Sequence, residues 1–73
     1  AMYHVYAQTA SGDPLRLFST DHLPILSQLL GLRPEAERRI KREAQEGRGL
    51  CHVFSGAGHR VLDYSAFVVQ WEE

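Results

Sequence analysis

Cysteine is scarce in this sequence, and its scarcity excludes two ways of stabilising a small protein. The 73 residues contain one cysteine, Cys51. A single thiol cannot form a disulfide within the chain, and it cannot supply a zinc site built from four thiolates. Because a chain of about 70 residues buries only about 60% of its unfolded surface, its core is thin. The single cysteine predicts a reducing, cytoplasmic setting. The thin core predicts a tendency to self-associate, most simply as a homodimer.

A dominant charge sign and a long apolar run are also missing. Lys and Arg number 8 against 9 Asp and Glu, so the formal net charge is −1 and the general attraction of a basic domain to nucleic acid is absent. No stretch approaches the roughly 18 apolar residues of a membrane span, and the first residues lack the features of a secretory signal. We expect one folded domain over residues 2–73, with Ala1 as a cloning remnant and no membrane partner.

The first half of the chain predicts two strands and a helix. Alternation of apolar and polar residues over 3–9 and a short apolar run at 15–18 predict strands joined by a turn. Residues 19–21 offer N-caps for a first helix, and Gly31 is placed to end it. Apolar residues cover more than half of this helix, so we expect it to be largely buried, with its few polar residues, Ser27 among them, facing water.

A second helix is predicted from Pro34 to the region of Gly47, and it is polar on almost every side. Residues 33–48 hold six basic and four acidic side chains. The narrow apolar stripe centres on Ile40, so we expect this helix to lie on the outside of the fold. Acidic and basic residues four positions apart predict stabilising ion pairs along it. These pairs are Glu35–Arg39, Glu37–Lys41, Arg39–Glu43 and Arg42–Glu46.

The last third of the chain is rich in strand-forming residues. Two alternating runs, 50–55 and 59–64, flank the glycine-containing segment 56–58, which is typical of a β-hairpin. A further run over 66–71 alternates in the same way and ends in Trp71. The predicted order is ββααββ, with a fifth strand if 59–64 pairs as well. We therefore expect an α+β fold in which a helix pair covers one face of a mainly antiparallel sheet.

The two predicted helices resemble a helix-turn-helix unit over about 20 residues, because a short glycine-containing turn joins them and the second is rich in arginine. Glu37 departs from that pattern, since the motif usually turns an apolar residue inward there, and the other glutamates would repel phosphates. The simpler interpretation is a helix hairpin whose outer helix forms solvated ion pairs. Nucleic-acid binding is therefore the alternative function. Its predicted phosphate contacts are Arg33, Arg38, Arg39, Lys41, Arg42 and Arg48.

Other residues that bear chemistry do not form a recognisable catalytic or metal-binding motif. Cys51 and His52 are neighbours on a predicted strand, so their side chains point to opposite faces, and we expect Cys51 to be buried and unreactive. His4, His52 and His59 would form a zinc site only if the predicted hairpin brought the last two to one face. The glycine-containing turn precedes a strand, whereas phosphate-binding loops open onto a helix. We predict no catalytic residue, no cofactor and no bound metal.

By elimination, we expect a non-enzymatic protein-interaction module that binds itself or another protein. Two helices cover only one face of a sheet well, so some aromatic side chains of the strands should face outward. Two surfaces are candidates for binding the partner. One is the open face or edge of the sheet near Tyr6 and Trp71. The other is the outer face of the second helix, with Arg38, Arg39, Lys41 and Arg42.

Overall fold

A computed structural model describes all of residues 1–73, which fold into four strands and two helices. The elements in chain order are β1 (Met2–Ala7), β2 (Leu15–Thr20), α1 (Leu23–Leu30), α2 (Pro34–Gln45), β3 (Leu50–Phe54) and β4 (Ala66–Glu72). The strands form one antiparallel sheet in the order β2-β1-β4-β3. The predicted α+β fold and its ββααββ order are confirmed.

The helices cover one face of the sheet, and the core lies between the two layers. Alternation along the strands sends Val5 of β1, Val53 of β3 and Phe67 of β4 to this face, where each is almost fully buried. Leu26 of α1 and Ile40 of α2 close the core from the other side. Only 10 of the 73 residues are buried, so the core is as thin as the chain length predicts.

The predicted hairpin between 50–55 and 59–64 does not form, and no fifth strand joins the sheet. β3 pairs instead with β4, which places Val53 opposite Phe67, and residues 55–65 connect the two strands. Burial explains the outcome. β4 places apolar side chains on the core face, whereas the segment after the glycines is mostly exposed. Pairing of β3 with β4 therefore buries more apolar surface than the predicted hairpin would.

A tight turn does occur near the end of this connection. Val61 and Tyr64 exchange both backbone hydrogen bonds, at 2.8 and 2.9 Å. Leu62 and Asp63 between them have positive φ angles of 50° and 67°, the geometry of a type I′ turn. A leucine in this conformation carries a steric cost. The Leu62 side chain is 72% exposed, so its packing does little to offset that cost.

The first residue of α1 differs from the prediction, whereas the helix ends at the predicted glycine. The helix begins at Leu23 with His22 in the N-cap position, and no side chain caps it. The predicted N-caps at 19–21 are wrong, because Ser19 and Thr20 belong to β2 and Asp21 lies one residue before the N-cap. Oγ1 of Thr20 nevertheless accepts a hydrogen bond from the N–H of His22 at 3.1 Å. Gly31 ends the helix in the left-handed conformation, with φ of 63°, as predicted.

α1 is less buried than predicted. Leu26 and Leu30 are buried, but Ile25 is 47% exposed and Leu29 is 51% exposed. Ser27 was expected to face water and is buried instead, with no hydrogen-bond partner for its Oγ. An eight-residue helix on one side of a sheet has a single covered stripe, so the apolar side chains beyond that stripe stay at the surface.

α2 begins at Pro34 and lies on the outside of the fold, as predicted. Ile40 is its one buried residue. After the helix, the N–H of Gly47 donates to the carbonyl of Ala44 at 3.2 Å, and a φ of 81° turns the chain away from the helix axis. Neither helix has the length and apolar character needed to cross a bilayer.

Candidate functional site

A groove lies between α2 and the end of β3, the edge strand of the sheet, and arginine side chains line it. Its volume is about 600 Å³. Phe54 and Ser55 contribute from the strand. The charged residues of the lining are Arg33, Arg38, Arg39, Arg42 and Glu35. We call this feature the arginine groove.

Local structure explains why these arginines meet. Arg38 and Arg42 are four residues apart on α2, a spacing that puts both on the same side of the helix. Arg33 precedes the helix in an extended conformation, because a residue before proline avoids helical dihedral angles. The N–H of Gly56 donates to the carbonyl of Gly31 at 2.7 Å. This hydrogen bond ties the chain leaving β3 to the turn before α2, so both walls of the groove are joined.

Three of the four predicted ion pairs on α2 do not form. Arg39 pairs with Glu43 at 3.7 Å, and that is the one predicted pair present. Arg33, Arg38 and Arg42 have no carboxylate partner, and all three are exposed. The interpretation of α2 as a helix covered by its own ion pairs is therefore wrong for most of its length. Three arginines that form no ion pair face the groove, and Glu35 is the one carboxylate in its lining.

Two residues of the predicted phosphate-binding set lie outside the arginine groove. Lys41 is exposed on α2 but does not line the groove. Arg48 follows the helix, and its Nε lies 3.6 Å from a carboxylate oxygen of Glu46. The fold thus brings together four of the six predicted basic residues, namely Arg33, Arg38, Arg39 and Arg42.

Arg39 differs from its neighbours because contacts within the chain hold it. Its Nε lies 3.4 Å from Sγ of Cys51, and its Nη2 donates to the backbone carbonyl of His52. With the ion pair to Glu43, these contacts fasten α2 to β3. Cys51 is buried, as predicted, and its burial raises the pKa of the thiol while Arg39 acts in the opposite direction. The thiol is therefore protonated at neutral pH and is a poor nucleophile.

Tyr6 and Trp71 do not share a surface. Tyr6 lies opposite Val68 on the uncovered face of the sheet, whereas Trp71 lies opposite Tyr3 on the face that the helices cover. The rings of Tyr3 and Trp71 meet edge to face, with centroids 6.5 Å apart. The single surface expected near Tyr6 and Trp71 is therefore corrected to an open face that contains Tyr6 alone.

Polar side chains on the open face bond to one another. Nδ1 of His4 lies 2.6 Å from Oγ of Ser19, and Nε2 lies 3.1 Å from a carboxylate oxygen of Glu72. Arg16 donates from Nη2 to the same serine hydroxyl at 2.9 Å. These contacts link β2, β1 and β4 across the sheet. His4, Ser19, Arg16 and Glu72 thus have partners within the chain.

The histidines considered for zinc have separate partners. Nδ1 of His52 lies 2.7 Å from the side-chain nitrogen of Gln8, and His4 belongs to the open-face contacts. His59 lies in the connection between β3 and β4, with Nε2 3.1 Å from the carbonyl of Leu29. The hairpin that would have put His52 and His59 on one face is absent. The structure contains no group of three or more side chains suited to hold a metal ion.

Sequence reasoning missed the strand side of the arginine groove. Phe54 has a 69% exposed side chain, and Ser55 follows it at the end of β3. One signal was available, because strand alternation sends Val53 inward and therefore Phe54 outward. The position of α2 beside this strand was not available, since it results from packing between residues distant in the sequence.

Comparison with known proteins gives no relative. No protein-family model matches the chain, and neither a curated protein nor a solved structure gives a significant match.

Proposed function

We propose that this chain is a non-enzymatic nucleic-acid-binding module that holds phosphate groups in the arginine groove. The observation that carries the proposal is the convergence of Arg33, Arg38 and Arg42 on one groove with no carboxylate partner. Guanidinium groups suit phosphate because they donate two parallel hydrogen bonds to its oxygens. The helix-turn-helix likeness supported nucleic acid as the alternative function. The three groove arginines that form no ion pair are the reason for preferring nucleic acid.

The attraction is local, because the formal net charge of the whole chain is −1. At about 0.1 M salt, exposed charges are screened beyond roughly 10 Å. A phosphate in the groove therefore interacts chiefly with the groove's own arginines, with the carboxylate of Glu35 in the lining, and with that of Glu43 beside Arg39. We expect affinity that falls steeply as salt is added, since binding releases counterions from the phosphates.

The test is fluorescence anisotropy of a labelled mixed-sequence oligonucleotide, titrated with protein at several salt concentrations. The variant is the double substitution Arg38→Gln and Arg42→Gln. It removes two phosphate contacts, so we expect at least about tenfold weaker binding and a salt slope reduced by about 1.4, since each single-strand contact contributes about 0.7. Circular dichroism checks that the variant is folded.

The matched control is the double variant Arg16→Gln and Arg48→Gln, which removes the same charge outside the groove. Both residues are exposed, and neither lines the groove. We expect its affinity to stay close to that of the unaltered protein. Equal losses in the two double variants would mean that net charge alone drives binding, and no salt-dependent binding by the unaltered protein would end the proposal.

Self-association is a second proposal, and a different surface supports it. The open sheet face has a shallow depression of about 200 Å³ lined by Tyr6, Leu50 and Val68. Both sheet edges are poor docking sites, because β2 has a bulge beside Tyr6 and Arg39 occupies the His52 carbonyl on β3. We propose that a second copy of the chain covers this face rather than extending the sheet.

Sedimentation velocity at two protein concentrations tests this second proposal. We expect a concentration-dependent dimer that Leu50→Glu abolishes, because a buried carboxylate without a partner opposes association. Leu62→Glu is the control, since this side chain is also exposed but lies in the β3–β4 connection. A sample that stays monomeric at both concentrations, or a dimer that Leu50→Glu leaves intact, contradicts the proposal.

We also propose a cytoplasmic location for this binding. The one thiol is free and buried, and a protein that depends on no disulfide suits a reducing compartment. Fractionation of cells that express the chain, followed by detection in the soluble cytoplasmic fraction or elsewhere, tests the location.

A further inference from the structure

Phe54 lines two depressions rather than one. It lines the arginine groove, and it also lines a smaller depression of about 280 Å³ formed with the glycine-containing part of the β3–β4 connection. Its side chain is 69% exposed, although an aromatic ring of this size normally contributes to a core. Ser55 is the other residue shared by both depressions.

The smaller depression also favours an anion. Arg60 lines it, and this guanidinium donates to the carbonyl of Asp63 at 3.1 Å, so its positive charge meets no carboxylate. The backbone N–H groups of Ala57 and Gly58 have no acceptor within the chain. The smaller depression therefore combines hydrogen-bond donors with positive charge, as the arginine groove does with Arg38 and its neighbours.

Phe54 is thus shared by two linings, one with Arg38 and Arg42 and the other with Arg60, so an aromatic residue is common to two cationic depressions in the order cation, aromatic, cation. A single strand of nucleic acid presents the complementary order, because each unpaired base lies between two phosphates. An aromatic ring stacks on any base, and the flanking cations bind the backbone. A duplex offers the phosphates but keeps its bases stacked inside, so Phe54 has no base to contact without unstacking it.

Resting on the proposed function, we propose that the site is selective for single-stranded nucleic acid. One base stacks on Phe54, the phosphate on one side binds Arg38 and Arg42, and the phosphate on the other side binds Arg60. Phe54 supplies the preference for single strands, whereas the arginines supply affinity for phosphate in either form. The two contributions are therefore separable by substitution.

The experiment compares Phe54→Leu with the unaltered protein by anisotropy, using a labelled mixed-sequence single strand and the duplex of the same sequence. Leucine keeps an apolar side chain but has no π face, so we expect about tenfold weaker binding to the single strand. Binding to the duplex should change little. Leu15→Ala is the control, because it truncates an exposed apolar side chain on β2, far along the sheet from β3.

Failure of this inference is distinguishable from failure of the proposed function. If single strand and duplex bind equally and Phe54→Leu changes neither, the selectivity is wrong while phosphate binding stands. If neither nucleic acid binds, both proposals are wrong. A polyglutamate peptide of equal charge is the last probe, and competition by it at the same concentration as the single strand would assign the groove to acidic peptides instead.

Discussion

The open sheet face and the arginine groove both carry polar side chains, but they use them differently. On the open face, His4 contacts both Ser19 and Glu72, and Arg16 donates to the same serine. Along the groove, Arg38 and Arg42 have no carboxylate partner at all. Partnered groups fasten strands to one another. Unpartnered cations close to each other add repulsion and no stability, and this is the contrast on which the proposed phosphate binding rests.

The largest predicted effect concerns the turn that joins the walls of the groove. Gly31 has φ of 63°, and a Cβ there would lie 2.4 Å from the ring of His59. For Gly31→Ala we expect a loss of about 3 kcal/mol in the free energy of unfolding, because the left-handed conformation costs about 1–2 kcal/mol and the clash adds about as much. Urea denaturation measures this loss in the free energy of unfolding. Nucleic-acid affinity should fall too, since the connection carrying Arg60 is displaced.

Gly47→Ala is the control for that prediction. Gly47 has φ of 81°, but no atom lies within 4 Å of an added Cβ, so only the conformational cost of about 1–2 kcal/mol applies. If the two alanine variants lose equal stability, the contact between Gly31 and His59 does not hold the groove together.

The next prediction separates partnered from unpartnered arginines on one helix. For Arg39→Ala we expect a loss of about 1 kcal/mol in stability, since it leaves Glu43 and the His52 carbonyl without their donor, a cost reduced because the Arg39 side chain is 41% exposed. For Arg38→Ala we expect a change within about 0.5 kcal/mol. Nucleic-acid affinity should show the reverse order. Equal stability losses would remove the distinction on which the proposed function rests.

Much of the fold was predictable from the sequence because local signals and burial agreed. Gly31 and Pro34 mark the end of one helix and the start of the next, and both predictions are confirmed. The β3–β4 pairing was not predictable from the same signals. The glycines favoured a local hairpin over 50–64, but the apolar face of β4 was the better partner for β3, and that preference acts between distant residues.

The candidate site was predictable only in part. The sequence predicted an outer face of α2 with Arg38, Arg39, Lys41 and Arg42, and all of these except Lys41 line the groove. Spacing also predicted four ion pairs on α2, and only Arg39–Glu43 forms, because an i,i+4 pair is worth only a few tenths of a kcal/mol and yields to other contacts. Arg39 shows the competition directly, since it reaches Cys51 and His52 as well as Glu43.

Unpartnered polar groups occur in the core as well as in the arginine groove. Ser27 is also a polar group without a partner, but it is buried, so no ligand can reach it and its hydroxyl only costs free energy. We expect Ser27→Ala to raise the free energy of unfolding by about 1 kcal/mol, the cost of one unsatisfied buried group. Urea denaturation measures the change, and a loss of stability would show that the hydroxyl has a partner in solution. Nucleic-acid affinity should not move.

The smallest predicted effect is a pH dependence at Cys51, the thiol that Arg39 contacts. Burial raises the pKa of this thiol above its ordinary value of 9.0, and Arg39 only partly opposes the rise. The unfolded chain therefore loses the proton first as pH rises. The stabilising contribution is fully present below 9.0 and is lost as pH rises through the folded-state pKa. Cys51→Ala should reduce the loss of stability between neutral pH and pH values above 9.0, as measured by urea denaturation. If the unaltered protein and Cys51→Ala lose the same amount, the thiol is not shielded from water, and the packing of α2 against β3 is looser than the contacts of Arg39 indicate.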